Sequence, residues 1–301
     1  MAGRTHLQHA LPCTFGYKCA VYLSSILRHE ERLTEIQNRC LLVQFGGAAG
    51  TLASLGPDDT GLRVRAQLAH ELGLKNPPIT WHVARDNVAE ILNFLAVIGG
   101  TLGKIALDVM VLSSNEVDEV SEPFVPHRGA SSTMPQKRNP ISSEVILAAS
   151  KMLRVNASLG LDAMVTDFER ASGPWHLEWV AIPEAFVTAV GALHQTSFAL
   201  GGLVVKVESM ERNLHSTKGL IAGEAVMMAL APHIGRQRAH DEVYEACKAA
   251  IERDCTLVQT LQESGVLMGV FSAEQLANLC DPLQYMGASQ LMVDEVVRRV
   301  G

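Results

Sequence analysis

The chain has 301 residues, 48% of them hydrophobic, 19% charged and 5% aromatic, with a formal net charge of -7 and a pI near 5.9. That apolar content excludes an intrinsically disordered chain, the length suffices for one large or two smaller cores, and the acidic balance argues against a general nucleic-acid surface. Six cysteines without CxxC spacing and eleven histidines without an HExxH pattern give no metal-ligand motif.

The opening segment MAGRTHLQHALP lacks the apolar region and cleavage site of a secretory signal. The most apolar stretches are interrupted by Gly, Lys, Asp or His before they reach membrane-spanning length. These features predict a cytoplasmic protein with no membrane partner, its cysteines free, and Cys13, Cys19 and Cys40 buried on apolar stretches. His6 and His9 lie in a polar cluster with Arg4, Thr5 and Gln8, read as a loop ahead of the first helix.

Apolar or small residues at Phe15, Cys19, Tyr22, Ile26, Leu33, Ile36 and Cys40 step by three and four, which predicts a helix over about 14–40 with a heptad seam. His29 falls on or beside that seam. GGAAGT (46–51) lacks GxGxxG spacing and follows no strand, so it reads as a tight loop. A second series from Val88 to Val109 is apolar on nearly all sides and predicts a helix buried on nearly all sides. Within it, GTLGK (100–104) is read as close helix packing and not a nucleotide loop.

GASSTMPQKRNP (129–140) interrupts this apolar pattern with two serines, a Lys-Arg pair and Asn-Pro. It leads into a predicted third helix, with Asn139 as N-cap and Pro140 in the first helical position. Free backbone N–H groups and the helix dipole at such a terminus favour an anion, and Lys137 and Arg138 suit a carboxylate. Composition alone leaves an ordinary solvated loop in competition. A fourth helix follows Gly173-Pro174, with Pro183 expected to kink it. Beyond Glu208–Lys218 the helices shorten. The prediction is an all-α chain of long packed helices (1–212) with a small helical C-terminal domain (213–301).

GASSTMPQKRNP resembles the signature loop of the fumarase/aspartase superfamily, in which two serines precede Met-Pro, a lysine and Asn-Pro. GRTHLQHALP (3–12) and QFGGAAGTLA (44–53) are similar to that family's first and second active-site segments. Arg85-Asp86, the KRNP ending and GLIAGEAVMMALAPHIGRQRAH resemble the adenylosuccinate lyase and 3-carboxy-cis,cis-muconate cycloisomerase branches together. FERASGPWHLEW (168–179) and LVQFGGAAGTLASLG (42–56) look like the cycloisomerase branch.

The resemblance implies a long-helix bundle and addition or elimination beside a carboxylate through an aci-carboxylate. It implies Ser131 as base, with Thr5 and His6 binding substrate and His6 a candidate acid or proton relay. Ser132, Lys137, Asn139 and Arg170 would bind substrate, and His176 is a further candidate from its branch-specific segment. It implies no metal or organic cofactor, a small polycarboxylate substrate, no nucleic-acid partner, and a homotetramer whose sites draw residues from three subunits. Two alternatives stand beside the cycloisomerase: an adenylosuccinate lyase, and a truncated non-catalytic scaffold. The second arises because the family carries a further N-terminal domain ahead of its first motif, whose absence would bare an apolar groove. Ala130, where the family commonly has glycine, is a further departure.

Overall fold

A computed structural model of the chain describes residues 1–126, 128, 133–134, 136–170 and 172–300. Its described residues are predominantly helical, as the three- and four-residue steps require. The chain opens with β1 (Ala2–Thr5) and β2 (Gln8–Pro12), an antiparallel hairpin where the sequence predicts a loop. The long helices are α1 (Phe15–Cys40), α3 (Asp86–Leu112), α4 (Ile141–Asp162) and α5 (Glu178–Gly201), with a shorter α2 (Thr60–Leu72). Then come α6 (Val207–His215), α7 (Gly223–Ile234), α8 (Arg236–Glu252), α9 (Leu257–Glu263), α10 (Gly265–Met268), α11 (Ala273–Leu279) and α12 (Ser289–Val297). Two-residue strands occur at Val120–Ser121 and Val204–Val205.

By contacts the chain divides into two compact units, one of residues 24–114 and 120–204, the other of residues 1–23, 115–119 and 205–301. In the first, α3, α4 and α5 pack together around Leu92, Leu95, Leu153, Ala181, Ala185 and Ala189. Glycines set how closely they approach. A Cβ at Gly99 would lie 2.6 Å from Leu153 Cδ1, and one at Gly160 would lie 2.5 Å from Leu92 Cδ1. Within GTLGK, Gly103 is such a packing residue, a Cβ there lying 2.7 Å from Ser150 Oγ, whereas Gly100 is exposed with nothing within 4 Å of that position, so the packing expected of this stretch holds for one of its two glycines.

α3 is long and apolar enough to cross a membrane by length and composition, despite Lys104 and Asp108, which the sequence treats as interruptions. Here it is a packed bundle helix. Its burial is not all-round: Val97 on α3, Val155 on α4, and Val187 and Val190 on α5 are each about half exposed or more, Val187 reaching 75%. The seam on α1 is likewise only partly covered. Ile36 and Cys40 are buried, but Cys19 and Leu33 are exposed and Cys13 is half-buried, correcting the expectation that all three early thiols are enclosed. A helical period identifies which face is apolar and says nothing of what covers it. His29 is buried on α1, with Nε2 2.8 Å from the Thr101 hydroxyl.

In the second unit, α7–α9 and α11 enclose Val226, Leu230, Leu257, Leu261, Leu267 and Leu276, nearly all without solvent exposure. α9 and α11 are too short to hold themselves as helices, and each begins with a capping box: Thr256 with Gln259, and Ser272 with Gln275.

Candidate active site

The first motif lies on the β1–β2 hairpin. Thr5 pairs with Gln8, and His6 and Leu7 between them take left-handed backbone, φ 51° and 63°. Two successive residues of this kind make a type I′ turn, normally built from Asn and Gly. Holding a non-glycine residue there costs on the order of 1–3 kcal/mol, and such strain concentrates at functional positions.

The base of the hairpin is rigid. Arg4 makes a two-pronged ion pair with the buried Glu119, at 2.7 and 2.9 Å, and Asn213 Nδ2 donates to the same carboxylate at 3.0 Å. Thr5 and His6 project beyond that base, exposed. His9 stays behind it, 3.4 Å from the Ser216 hydroxyl. Burial, assisted by the Arg4 charge, holds its imidazole below the usual range, so His9 is neutral at pH 7.

The second motif is a turn closed by Leu52 N–H on Gly46 O at 3.1 Å, with Gly47 and Gly50 at φ 74° and 82°. Thr80 Oγ1 donates to Gly50 O at 2.8 Å, and Trp81 Nε1 donates to Val43 O at 2.8 Å. Arg170 spans the top of the turn, its Nη2 donating to Ala48 O at 2.8 Å and Gly47 O at 3.3 Å. The structure thus brings Arg170 and the second motif together. They border a cavity of about 450 Å³ lined by Gln44, Trp81, His82, Val83, Arg85, Arg170 and Trp175. Arg85 is fixed by the buried Glu178, Nε to Oε1 at 2.8 Å, and faces the Trp81 ring at 5.3 Å. With Arg85 paired to Glu178, Arg170 is the cation of this lining with no carboxylate partner among the described residues of the cavity, set among two indoles and one amide. His176 lies outside the lining. It is exposed, its Nδ1 bonded to Gly173 O at 3.2 Å, and its ring packs on Trp179 at 4.6 Å.

In the third motif, Ser131 and Ser132 lie outside the described residues. Lys137 and Asn139 border a narrow cleft with Glu122, Phe124, Arg128 and Arg138. The N-cap of α4 is Pro140 and not Asn139, and it carries no side-chain cap. The anion expected at this helix terminus is supplied by the chain itself. Glu122 accepts from Ser142 N at 3.0 Å and from Ser143 N and Oγ, both at 2.7 Å. A carboxylate there satisfies donors that have no partner within the helix. Lys137 and Asn139 therefore stand beside an occupied terminus. Arg128 donates to Ser142 Oγ at 2.8 Å and to Gln195, and stacks over Phe198 at 3.8 Å; Arg138 stacks over Phe124 at 3.7 Å.

Glu122, Arg128, His82 and the Arg85–Glu178 pair are contacts that sequence inspection missed. Arg85, as part of Arg85-Asp86, and Glu178, inside FERASGPWHLEW, lay in stretches the sequence singles out, but nothing there indicated that they pair. The second-motif cavity and the α4 cleft share no lining residue.

The model of a family described as lyase matches residues 1–155, and that of the adenylosuccinate lyase C-terminus matches residues 219–296. The chain belongs to this lyase family. It is the fumarase/aspartase superfamily that the three motifs resemble, and its long-helix architecture is the one observed here. Trans-aconitate decarboxylase 1 of Mycosarcoma maydis is 44% identical over 99% of this chain and 60% of its own length. The 3-carboxy-cis,cis-muconate cycloisomerase of Pseudomonas aeruginosa is 43% identical over 99% of this chain and 64% of its own length. A fumarate lyase from Mesorhizobium sp. BNC1, of known crystal structure, superposes with a TM-score of 0.92 at 51% identity, over 99% of this chain and 66% of that one. The chain thus spans less than two thirds of the length of these lyase-family relatives.

Proposed function

We propose that this chain carries the bundle and C-terminal parts of a cycloisomerase of the 3-carboxymuconate type, acting on a small polycarboxylate in aromatic catabolism. The observation that supports it most is the 43% identity to such a cycloisomerase across 99% of the chain. In the proposed reaction a proton is lost or gained next to a carboxylate, and negative charge builds on that carboxylate's oxygens. Stabilising it requires fixed donors aimed at the oxygen pair.

Ser131 is the proposed base, and His6 the proposed acid or relay. Thr5, Ser132, Lys137, Asn139, Arg170 and His176 are proposed to bind substrate. Arg170 serves through the Nε and Nη1 donors that its Nη2 bonds to the turn leave over. The proposed assembly is a homotetramer in which each site takes its three motifs from three copies, and the proposed location is the cytoplasm. No metal or organic cofactor enters this chemistry.

A second reading is favoured by the 44% identity to a trans-aconitate decarboxylase: decarboxylation of an unsaturated tricarboxylate. It calls for the same class of anion and a different bond broken. Purified protein of measured oligomeric state, assayed on 3-carboxymuconate, trans-aconitate and adenylosuccinate, separates these readings by product. Ser131→Ala should lower turnover by about 10²-fold or more on the true substrate. Undiminished turnover in that variant sinks the mechanism. A well-formed tetramer inert on all three compounds favours a scaffold.

A further inference from the structure

Residues 80–85 form a strut with two working sides. On one side, Thr80 and Trp81 bond the second-motif segment at Gly50 O and Val43 O. On the other, Val83 O accepts from Thr166 Oγ1 at 3.1 Å, and Arg85 holds Glu178. His82 touches both sides at once. Its Nε2 donates to Glu169 O at 2.7 Å, next to Arg170. Its adjoining Cε1–Nδ1 edge rests on Gly50, where a Cβ would lie 2.6 Å from Cε1 and 3.2 Å from Nδ1.

Nδ1 of the same ring is enclosed with no hydrogen-bond partner among the described residues. Buried polar atoms are nearly always paired, so a ring held with one nitrogen unpaired is held by its shape and its other bond. Gly50, at φ 82°, has no Cβ, and the ring occupies the space that one would fill.

We propose that His82 is the positioning residue of the second motif. It sets the spacing between the Gly46–Gly50 turn and the backbone carrying Arg170, so that the Arg170 guanidinium meets the carbonyls of Gly47 and Ala48 and keeps its remaining donors facing the cavity. The consequence for substrate rests on the proposed function, which makes that turn part of the substrate site. The placement itself does not.

Three substitutions separate the bond from mere bulk. His82→Gln places an amide donor near the Nε2 position, His82→Asn places its amide near Nδ1, and His82→Ala places neither. Hydrogen exchange at Leu52, whose N–H closes the turn, should quicken about tenfold or more in the Ala and Asn variants and stay within about threefold of the parent in the Gln variant. The tryptophans Trp81, Trp175 and Trp179 are the three in the chain, and the first two line the cavity, so their emission should shift in the same variants.

On the true substrate, kcat/KM should fall about 10²-fold in the Ala and Asn variants, mainly through KM, with recovery in the Gln variant. Equal exchange in the Gln and Asn variants, or unchanged exchange in the Ala variant, overturns the assignment. If the exchange pattern holds while the parent protein turns over no substrate, the functional reading fails and the placement of His82 stands.

Discussion

The C-terminal helices and the long bundle helices solve the same burial problem in opposite ways. α7–α9 and α11 are short and close a core in which Leu230, Leu257, Leu261, Leu267 and Leu276 are fully enclosed, with capping boxes at the starts of α9 and α11. α3, α4 and α5 are long, pack on one another through glycine contacts and small residues, and leave valines bare along their outer faces. The N-cap residues of these three helices make no side-chain capping bond, and at α4 the free N–H groups are met from outside the helix by Glu122. The difference teaches that one region closes its core around short capped helices, though Met228, Tyr244 and Ile251 stay exposed on α7 and α8, whereas the other draws on length and on small-residue contacts.

The largest effect should come from the enclosed core. Leu261→Ala removes a side chain with no solvent exposure and leaves a cavity, which typically costs about 2–5 kcal/mol. Chemical denaturation should show that loss, and the thiol of Cys280 should report it locally. Burial holds that thiol up at about 11, so it resists alkylation in the folded protein at pH 8. In the bundle Cys40 is held up at about 12, by burial and by the nearby Glu90 carboxylate. Leu261→Ala should expose Cys280 at lower denaturant and leave Cys40 unchanged. Equal exposure of both would break the comparison, showing one cooperative unit.

The bundle should fail by overpacking. Gly160→Ala puts a methyl 2.5 Å from Leu92 Cδ1, and the fully buried Leu92 side chain, or the helix that carries it, must shift to admit it. Such insertions cost about 1–3 kcal/mol. Here the alkylation order should reverse, with Cys40 reacting first. A substitution that is neutral in denaturation would show that the α3–α4 contact yields without loss.

The helices were legible because the three- and four-residue steps of Phe15–Cys40 and Val88–Val109 carry their own period. The hairpin was not, since its turn is His6-Leu7 in place of Asn-Gly, and its strands are held by Glu119, more than a hundred residues away. The third motif was legible as a helix start that attracts an anion. That the anion is Glu122, twenty residues upstream of Ser142, is a tertiary fact with no local pattern. The second-motif residues were read as a loop, and their bonds to Thr80 and Arg170 join segments that only the fold brings together. Cys19 and Leu33 were placed on the right face of α1 and assigned the wrong exposure, because a seam on a helix is not yet a partner for it.

The smallest expected change in the single chain is at the bare face itself. Val187 and Val190 on α5 are 75% and 64% exposed, so Val187→Asp and Val190→Asp remove little burial within the chain and should alter its denaturation midpoint by no more than about 0.5 kcal/mol. If copies of the chain assemble through this face, each substitution buries an unpaired carboxylate in every copy, at a cost of several kcal/mol per site. Sedimentation should then show the double variant dissociated at concentrations where the parent is assembled, with its helical content retained. An assembled double variant would remove α5 from the interface and require assembly through other faces. Loss of helical content would show that the outer valines hold the bundle together within one chain, and that the two regions differ less than their exposed surfaces indicate.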